Sequence, residues 1–374
     1  MTFTNSQSTF RGGSSNQTKG PVRVLVVDDS AFVRSIITRK INAEPDLEVV
    51  GQAKDGLEAV EQVKTLRPDV VTMDVTMPRL DGLGAVKRIM AEQPTPIVML
   101  SALTGPGADV TMQALELGAI DFFLKVSVAS PTGSDDGITQ LAKKLRVAAG
   151  ARVTAGRSTP PRSSVSKTPV GGDFNTLVVI GSSTGGPKAL AQVIPKLPGD
   201  LNAAVLIVQH MPPHFTASLS ARLDSASELE VAEASDGDRL KRGRVLMAPG
   251  GFHMTLQGNG RIVLDTGPEV HGVRPSVDVT MLSAVQTFRG KCHGVILTGM
   301  GSDGRDGCGA IKAAGGSVVA EDESTCAVYG MPKSVVDAGY ADRVKPIDAV
   351  AHEIVRICGV LSTTGAAQAR SGAR

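Results

Sequence analysis

The sequence has little of what several protein classes require. Its 374 residues carry a formal net charge of only +2, which argues against nucleic acid as a partner. No apolar run approaches the ~18 residues of a membrane-spanning helix, so membrane insertion is not expected. The four cysteines form no C-x-x-C pair, which disfavours a zinc site and favours reduced thiols. Residues 1–20 are polar and lack the apolar core of a signal peptide, so we expect a flexible tail on a cytoplasmic protein.

The chain is longer than one hydrophobic core usually supports, and its composition divides it in two. Residues 151–172 are rich in Ser, Pro and Gly, which is typical of a linker. We therefore expect one domain over residues 21–150, a second over 173–360, and a flexible tail over 361–374.

Both domains alternate short apolar runs with amphipathic helical patterns, which predicts parallel sheets covered by helices. The predicted strands of the first domain are 22–27, 47–51, 69–73, 96–100 and 120–124. Five strands in this pattern favour a flavodoxin-like, doubly wound sheet. The predicted strands of the second are 176–180, 203–208, 244–248, 294–298 and 317–320. A hairpin turning at Gly258-Asn259-Gly260 adds some antiparallel pairing to this mostly parallel α/β domain.

Polar side chains follow the strands of the first domain, where doubly wound sheets bind their ligands. They are Asp28 and Asp29, Asp74, Ser101 and Lys125. Three converging carboxylates repel one another unless a cation neutralises them, and hard oxygen ligands suit Mg²⁺. A hydroxyl and an ammonium beside them suit a phosphoryl group. For one aspartate alone a helix cap is the simpler interpretation, and Asp29, just before Ser30, fits that alternative.

The first domain resembles the receiver domain of bacterial response regulators. The stretches that carry the resemblance are VVDDSAFVR, MDVTMPRLDGL, MLSALT and DFFLK, and it covers residues 20–150. It implies that Asp74 accepts the phosphoryl group, that Asp28 and Asp29 bind Mg²⁺ with Asp74, and that Ser101 and Lys125 sense the phosphate. Val126 departs from the family, since a proline usually follows the lysine.

The stretch GSSTGGPK, residues 181–188, follows a predicted strand and precedes a predicted helix. A phosphate-binding Walker loop would need lysine where Pro187 stands, and a dinucleotide fingerprint would need glycine at Ser183. The pattern that fits is G-x-S-x-G, which can expose Ser183 on a turn near a helix amino terminus. The pentad is weak by itself, because a serine without a base is inert.

Of six histidines, only His210 directly follows a predicted buried strand, so we expect it at the same sheet edge as Ser183. The other histidines are expected to be structural or on the surface: His214, His253, His271, His293 and His352. The orienting carboxylate is expected in GVILTGMGSDG, where Asp303 lies nearer the strand end than its competitor Asp306. The order Ser–His–Asp differs from that of α/β-hydrolases, so a different fold is expected.

The second domain closely resembles the catalytic domain of chemotaxis protein-glutamate methylesterases, through IGSSTGGP, QHMPPHF, MAPGGFHM, RPSVDVTM and LTGMGSDG. The resemblance implies a triad of Ser183, His210 and Asp303. It also implies that Thr184 and Met300 shape the site, with backbone N–H groups as oxyanion hole and no cofactor. The implied substrates are glutamate methyl esters, and glutamines, on the cytoplasmic domains of chemoreceptors. The implied phosphodonor is the histidine kinase of the chemotaxis system.

Other functions compete with this one. An inert second domain would make the chain a scaffold or phosphate sink, and the hydrolase could act on a partner outside chemotaxis. A transcription factor is disfavoured, because no basic helix-turn-helix pattern is present. A flexible linker lets the carboxyl edges of the two sheets meet, so we expect the unphosphorylated receiver to cover the triad and phosphorylation of Asp74 to release it.

Overall fold

The computed structural model describes residues 20–101, 105–125, 135–153, 167, 171, 174 and 176–360. These residues form two α/β domains in the predicted order. The predicted tails, most of the predicted linker and Val126 lie outside the described residues. No helix within the described ranges is long and apolar enough to cross a membrane.

The first domain is the predicted flavodoxin-like sheet, with parallel strands in the order β2-β1-β3-β4-β5. Its strands are β1 (Val22–Val27), β2 (Leu47–Ala53), β3 (Val70–Asp74), β4 (Ile97–Ser101) and β5 (Asp121–Leu124). Its helices are α1 (Ala31–Ile41), α2 (Gly56–Leu66), α3 (Gly82–Glu92), α4 (Gly105–Leu117) and α5 (Asp135–Ala149). Val24 and Val26 point to the core beneath α1 and α5, whereas Leu25 and Val27 point to the core beneath α2, α3 and α4. Because both sheet faces are buried, the strands are nearly continuous apolar runs.

The second domain has a parallel sheet of seven strands in the order β14-β13-β12-β6-β7-β9-β8. Its strands are β6 (Thr176–Ser182), β7 (Ala203–Gln209), β8 (Glu230–Glu233), β9 (Arg244–Met247), β12 (Cys292–Ile296), β13 (Val318–Glu321) and β14 (Arg343–Lys345). Its helices are α6 (Gly186–Val193), α7 (Phe215–Ala226), α8 (Val277–Phe288), α9 (Arg305–Ala313), α10 (Met331–Asp337) and α11 (Ile347–Cys358). The predicted hairpin is a separate antiparallel pair, β10 (His253–Leu256) and β11 (Ile262–Asp265).

The strand order determines where a site can form in this sheet. The chain builds from β6 outward through β7 on one side and later crosses back to add β12 on the other. The order therefore reverses between β6 and β12, and ligands of such sheets bind in the crevice beyond the carboxyl ends of the strands at this point. Ser183 and His210 follow β6 and β7 directly, and Asp303 lies in the loop after β12.

The two domains touch along α4 and the start of β5 on one side and α7 on the other. Phe122 stacks on Phe215 with ring centroids 4.3 Å apart, and the hydrophobic core continues through this pair. At the rim, Glu116 accepts two hydrogen bonds from Arg222, one of them 2.8 Å long. The receiver therefore meets the catalytic domain through its α4–β5 side. The expected meeting of two carboxyl edges is not what the structure contains, because β5 makes its contact at its amino end.

Candidate functional site

His210 and Asp303 form a hydrogen-bonded pair beyond the carboxyl ends of β7 and β12. His210 Nε2 lies 2.7 Å from Asp303 Oδ2, and Asp303 is 2% exposed. The competitor Asp306 is exposed in the first turn of α9, where it accepts from Arg305. The geometry therefore favours Asp303 over Asp306 as the partner of His210.

The amino terminus of α8 surrounds the carboxylate of Asp303 with donors. The Ser276 hydroxyl donates to Oδ1 (2.8 Å), as does the backbone N–H of Asp278 (3.0 Å), and the N–H of Val277 donates to Oδ2 (2.7 Å). Burial alone would raise the pKa of Asp303, but its bond to His210 and these backbone donors outweigh burial and lower the pKa to about 2. Asp303 is therefore ionised at neutral pH and can only accept hydrogen bonds.

Ser183 lies one residue beyond β6, at the loop that starts α6. The residues just before Ser183 and His210, Ser182 and Gln209, are sheet partners in neighbouring strands, so both side chains emerge at one edge. Among the described residues no hydrogen bond joins Ser183 Oγ to His210. Ser183 is partly exposed, and a Cβ on Gly299 would lie 2.8 Å from Ser183 Cβ, so the loop after β12 passes directly beside the serine.

Two further residues predicted to shape the site have different surroundings. Met300 follows Gly299 beside Ser183 and is 36% exposed, a high value for methionine. Thr184 is 7% exposed, and its hydroxyl donates to the carboxylate of Asp121 in the receiver (2.6 Å).

The receiver contacts the loop that carries Ser183 at two consecutive residues. Besides the bond from Thr184 to Asp121, the backbone N–H of Gly185 donates to the carbonyl oxygen of Ile120 (3.2 Å). Asp121 is itself held by Lys144 of α5 at 2.6 Å. The amino end of β5 is thus attached directly to the residues that follow Ser183.

The remaining histidines take up structural or surface positions in the described structure. His253 Nε2 bonds to the Pro268 carbonyl oxygen (2.9 Å), and the N–H of Ser317 donates to His293 Nδ1 (3.0 Å). His271 pairs with Asp278 (3.0 Å), His214 is the N-cap residue that precedes α7, and His352 is an exposed residue of α11.

In the receiver, the predicted acidic residues converge. Asp28, Asp29 and Asp74 each offer a carboxylate oxygen, all within 4.8 Å of one another. Lys125 Nζ lies 2.8 Å from Asp28 Oδ2 and 2.7 Å from Asp74 Oδ2. Three oxygen ligands that repel one another fit a hard divalent cation such as Mg²⁺. Helix α1 is capped by Ser30, so capping does not account for Asp29.

The acidic pocket holds three carboxylates and one lysine, and this excess of negative charge suits phosphoryl transfer with a bound cation. Burial raises the pKa of Asp74, and the nearby Asp28 adds to the shift, while Lys125 opposes it. Burial opposes the charge on Lys125, yet its bonds to Asp28 and Asp74 raise its pKa overall. Ser101 ends β4, and its hydroxyl accepts from Thr111 of α4 (2.9 Å). Through Thr111, the end of β4 contacts the helix that lies against α7.

Sequence reasoning missed Ser276, Asp121 and Thr111. A serine before VDV could have been recognised as a helix cap, and Ser276 does cap α8. That α8 points at Asp303, or that Asp121 faces another domain, has no signal in a single sequence.

Comparison with known proteins gives a match for each domain. A family model described as response regulator receiver domain matches residues 24–130, and one described as CheB methylesterase matches residues 178–354. A protein-glutamate methylesterase/protein-glutamine glutaminase of Symbiobacterium thermophilum is 48% identical, with 92% of this chain and 99% of that protein covered. One of Thermotoga maritima is 46% identical, with 90% and 98% covered. The crystal structure of the Thermotoga maritima CheB methylesterase catalytic domain is 49% identical, covers 49% of this chain and 98% of that chain, and has a TM-score of 0.48.

Asp303→Asn should weaken the acid dependence of stability. The pKa of Asp303 is about 2 in the folded protein, whereas aspartate in an unfolded chain titrates near ~3.9. Its stabilising contribution is therefore complete above pH ~4 and is lost as the pH falls toward ~2. We expect the melting temperature of Asp303→Asn to fall less steeply over this range than that of the unmodified protein.

The matched control is Asp306→Asn, which changes an exposed carboxylate of the same segment. Its melting temperature should follow the unmodified protein across the whole range. If the melting temperature falls equally steeply with pH in the two variants, the ionisation of Asp303 at neutral pH is contradicted.

Proposed function

This chain belongs to the family of protein-glutamate methylesterases/protein-glutamine glutaminases with a receiver domain, and we propose that it hydrolyses glutamate methyl esters of chemoreceptors under control of phosphorylation. Deamidation of receptor glutamines is proposed as a second activity, because esters and amides pass through similar tetrahedral intermediates. The proposed location is the cytoplasm, where the receptor domains to be modified lie. The observation that carries the proposal is the His210–Asp303 pair beside Ser183 at the switch point of the sheet.

The pair assigns a role to each nitrogen of His210. Because ionised Asp303 can only accept, Nε2 of His210 keeps its proton and donates a hydrogen bond to Oδ2. Nδ1 is then left with a lone pair that can accept the hydroxyl proton of Ser183. Catalytic hydrogen bonds are often long before substrate binds, and Ser183 Oγ must approach Nδ1 for this transfer.

The proposed reaction runs through an acyl-enzyme. Ser183 Oγ attacks the ester carbonyl carbon while His210 takes its proton, and His210 returns that proton to the departing methanol. Water then attacks the acyl-enzyme with His210 again as base, which releases glutamate and restores the serine. For a glutamine side chain the leaving group is ammonia. Backbone N–H groups near Ser183 and Met300 are the proposed donors to the oxyanion.

The proposed control site is the acidic pocket of the receiver. Asp74 is the proposed phospho-acceptor, and Asp28, Asp29 and Asp74 are the proposed Mg²⁺ ligands. Mg²⁺, when bound, would neutralise charge on the incoming phosphoryl group. Lys125 is ion-paired with Asp74 and Asp28, and we propose that it moves to the phosphoryl group once Asp74 is phosphorylated. Ser101 is the second proposed sensing residue. The chemotaxis histidine kinase is the proposed phosphodonor.

The proposed inhibition acts through the contacts between the receiver and the Ser183 loop. Asp121 and Ile120 hold the two residues after Ser183, and His210 keeps only a tenth of its side-chain surface exposed. We propose that a receptor helix gains full access to Ser183, which is partly exposed in this arrangement, only when the receiver moves. A difference of a few kcal/mol between the two arrangements would shift their populations ~100-fold.

Ser183→Ala should abolish ester hydrolysis and leave the fold intact, because the residue lies in a partly exposed loop that accepts alanine. Release of methanol from methylated receptor is the measurement, with circular dichroism as the check on folding. A folded variant with more than a few per cent of the original activity would remove Ser183 as the nucleophile.

Residues 173–374 alone should be faster than the intact unphosphorylated chain, since the fragment lacks the covering receiver. Asp74→Asn in the intact chain should stay at the resting rate when a phosphodonor is added. Both rates are measured on methylated receptor. If the fragment is no faster than the resting chain, coverage is wrong and the receiver acts in another way, such as recruitment to receptors.

Asp121→Ala should raise the rate of the unphosphorylated chain, because it removes the acceptor for Thr184. A hydrogen bond to a charged group contributes about 1.5–3 kcal/mol, enough to shift the closed population ~10-fold or more. The control is Asp109→Ala, which removes the bond to Ser218 (2.5 Å) at the exposed rim of the same interface. Equal resting rates in the two variants would mean that the Thr184 contact has no special part in inhibition.

A further inference from the structure

The side-chain amide of Gln209 links the segments that carry Ser183 and His210. Gln209 is the last residue of β7 and is 2% exposed. Its Nε2 donates to the carbonyl oxygens of Ser183 (2.9 Å) and His210 (3.2 Å), and its Oε1 accepts from the Ser182 hydroxyl (2.7 Å). One planar group therefore bonds to the residue before the serine, to the serine itself and to the histidine.

The bonds require the chemistry of an amide. The Ser183 and His210 residues lie just past the ends of their strands. Their N–H groups still donate to the carbonyl oxygens of Thr298 (3.0 Å) and Ser182 (3.1 Å), whereas their carbonyl groups both accept from Gln209. An amide offers two N–H donors and an acceptor in one rigid plane, whereas a carboxylate offers only acceptors and a hydrocarbon offers neither. Only glutamine or asparagine could make this set of bonds, and the shorter side chain would end one carbon short.

Helix α6 is shaped around the same amide. A Cβ on Gly186 would lie 1.9 Å from Gln209 Oε1 and 2.9 Å from Ser182 Cβ, so a side chain at this position would displace the amide. The N–H of Gly186 also donates to the Ser183 carbonyl oxygen (2.7 Å). The serine backbone is therefore held from the helix side by Gly186 and from the β7 side by Gln209.

We propose that Gln209 is a positioning residue that fixes the backbone of Ser183 relative to that of His210. The inference rests on the proposed roles of those two residues. Neither lies within a strand, and no direct hydrogen bond between their side chains is present among the described residues. Their alignment therefore depends on the backbone, and a displacement of about 1 Å can cost ~100-fold in rate.

The test is Gln209→Met in the full-length, phosphorylated chain, with kcat and KM measured separately on methylated receptor. Methionine fills similar space, buries no charge and makes none of the three bonds. We expect kcat to fall ~100-fold, while KM stays within about twofold because substrate contacts are unchanged. The control is Gln192→Met, which removes a glutamine bond to the backbone of α6 at Lys188 (3.4 Å) and should keep the original kcat.

The outcomes separate this inference from the proposed function. Positioning is overturned if folded Gln209→Met keeps a kcat within about threefold of the original. It is also overturned if the rate falls by no more than the fraction of the variant that fails to fold. If Gln209→Met does not fold, Gln209→Asn decides, since its amide ends one carbon short of the three partners. A low kcat in folded Gln209→Asn supports positioning, and the original kcat overturns it. Full activity in Ser183→Ala would instead overturn the proposed mechanism itself.

Discussion

A carboxylate can stay ionised inside a protein only if donors surround it, and burying it without them costs several kcal/mol. The catalytic domain meets this requirement around Asp303 by directing the amino terminus of α8 at it. The Ser276 hydroxyl and two backbone N–H groups, with the partial positive charge of the helix end, hold the charge in place. The proposed tautomer of His210, and with it the nitrogen proposed to act on Ser183, follows from that charge. The positions of α8, β7 and β12 are thus linked through one side chain.

The receiver uses the opposite arrangement. At Asp303, neutral donors and His210 outweigh the repulsion from the neighbouring Asp278 carboxylate and keep the charge in place. At Asp74, several carboxylates lie together with one lysine, so the pocket keeps an excess of negative charge. The first arrangement suits a group whose charge must not change during the reaction. The second suits a pocket whose charge is altered by a cation and a phosphoryl group, and this difference is the physical basis for assigning catalysis to one domain and control to the other.

The sheet edges that carry functional side chains could be predicted from sequence because a buried parallel strand is a continuous apolar run. The polar residues after such a run mark the strand's exit, and Asp28 and His210 were located in this way, whereas Ser183 was located by the G-x-S-x-G pattern after β6. The short strands β8 and β14 were missed because they are partly exposed and rich in charge. Ser276 and Asp121 were missed for another reason, since each acts on a segment distant in the chain. Local patterns contain no information about such contacts.

The side chain of Thr184 is constrained both by its place beside the proposed nucleophile and by its hydrogen bond to Asp121. Thr184 adjoins the proposed nucleophile, so its replacement affects the chemistry, yet the same hydroxyl contacts the receiver. A receiver transplanted from a relative would bring its own residue to the first position of β5. Such a chimaera would dock in the same way only if that residue accepted a hydrogen bond from Thr184. The two positions are therefore expected to change together as the family diverges, although they lie in separate domains.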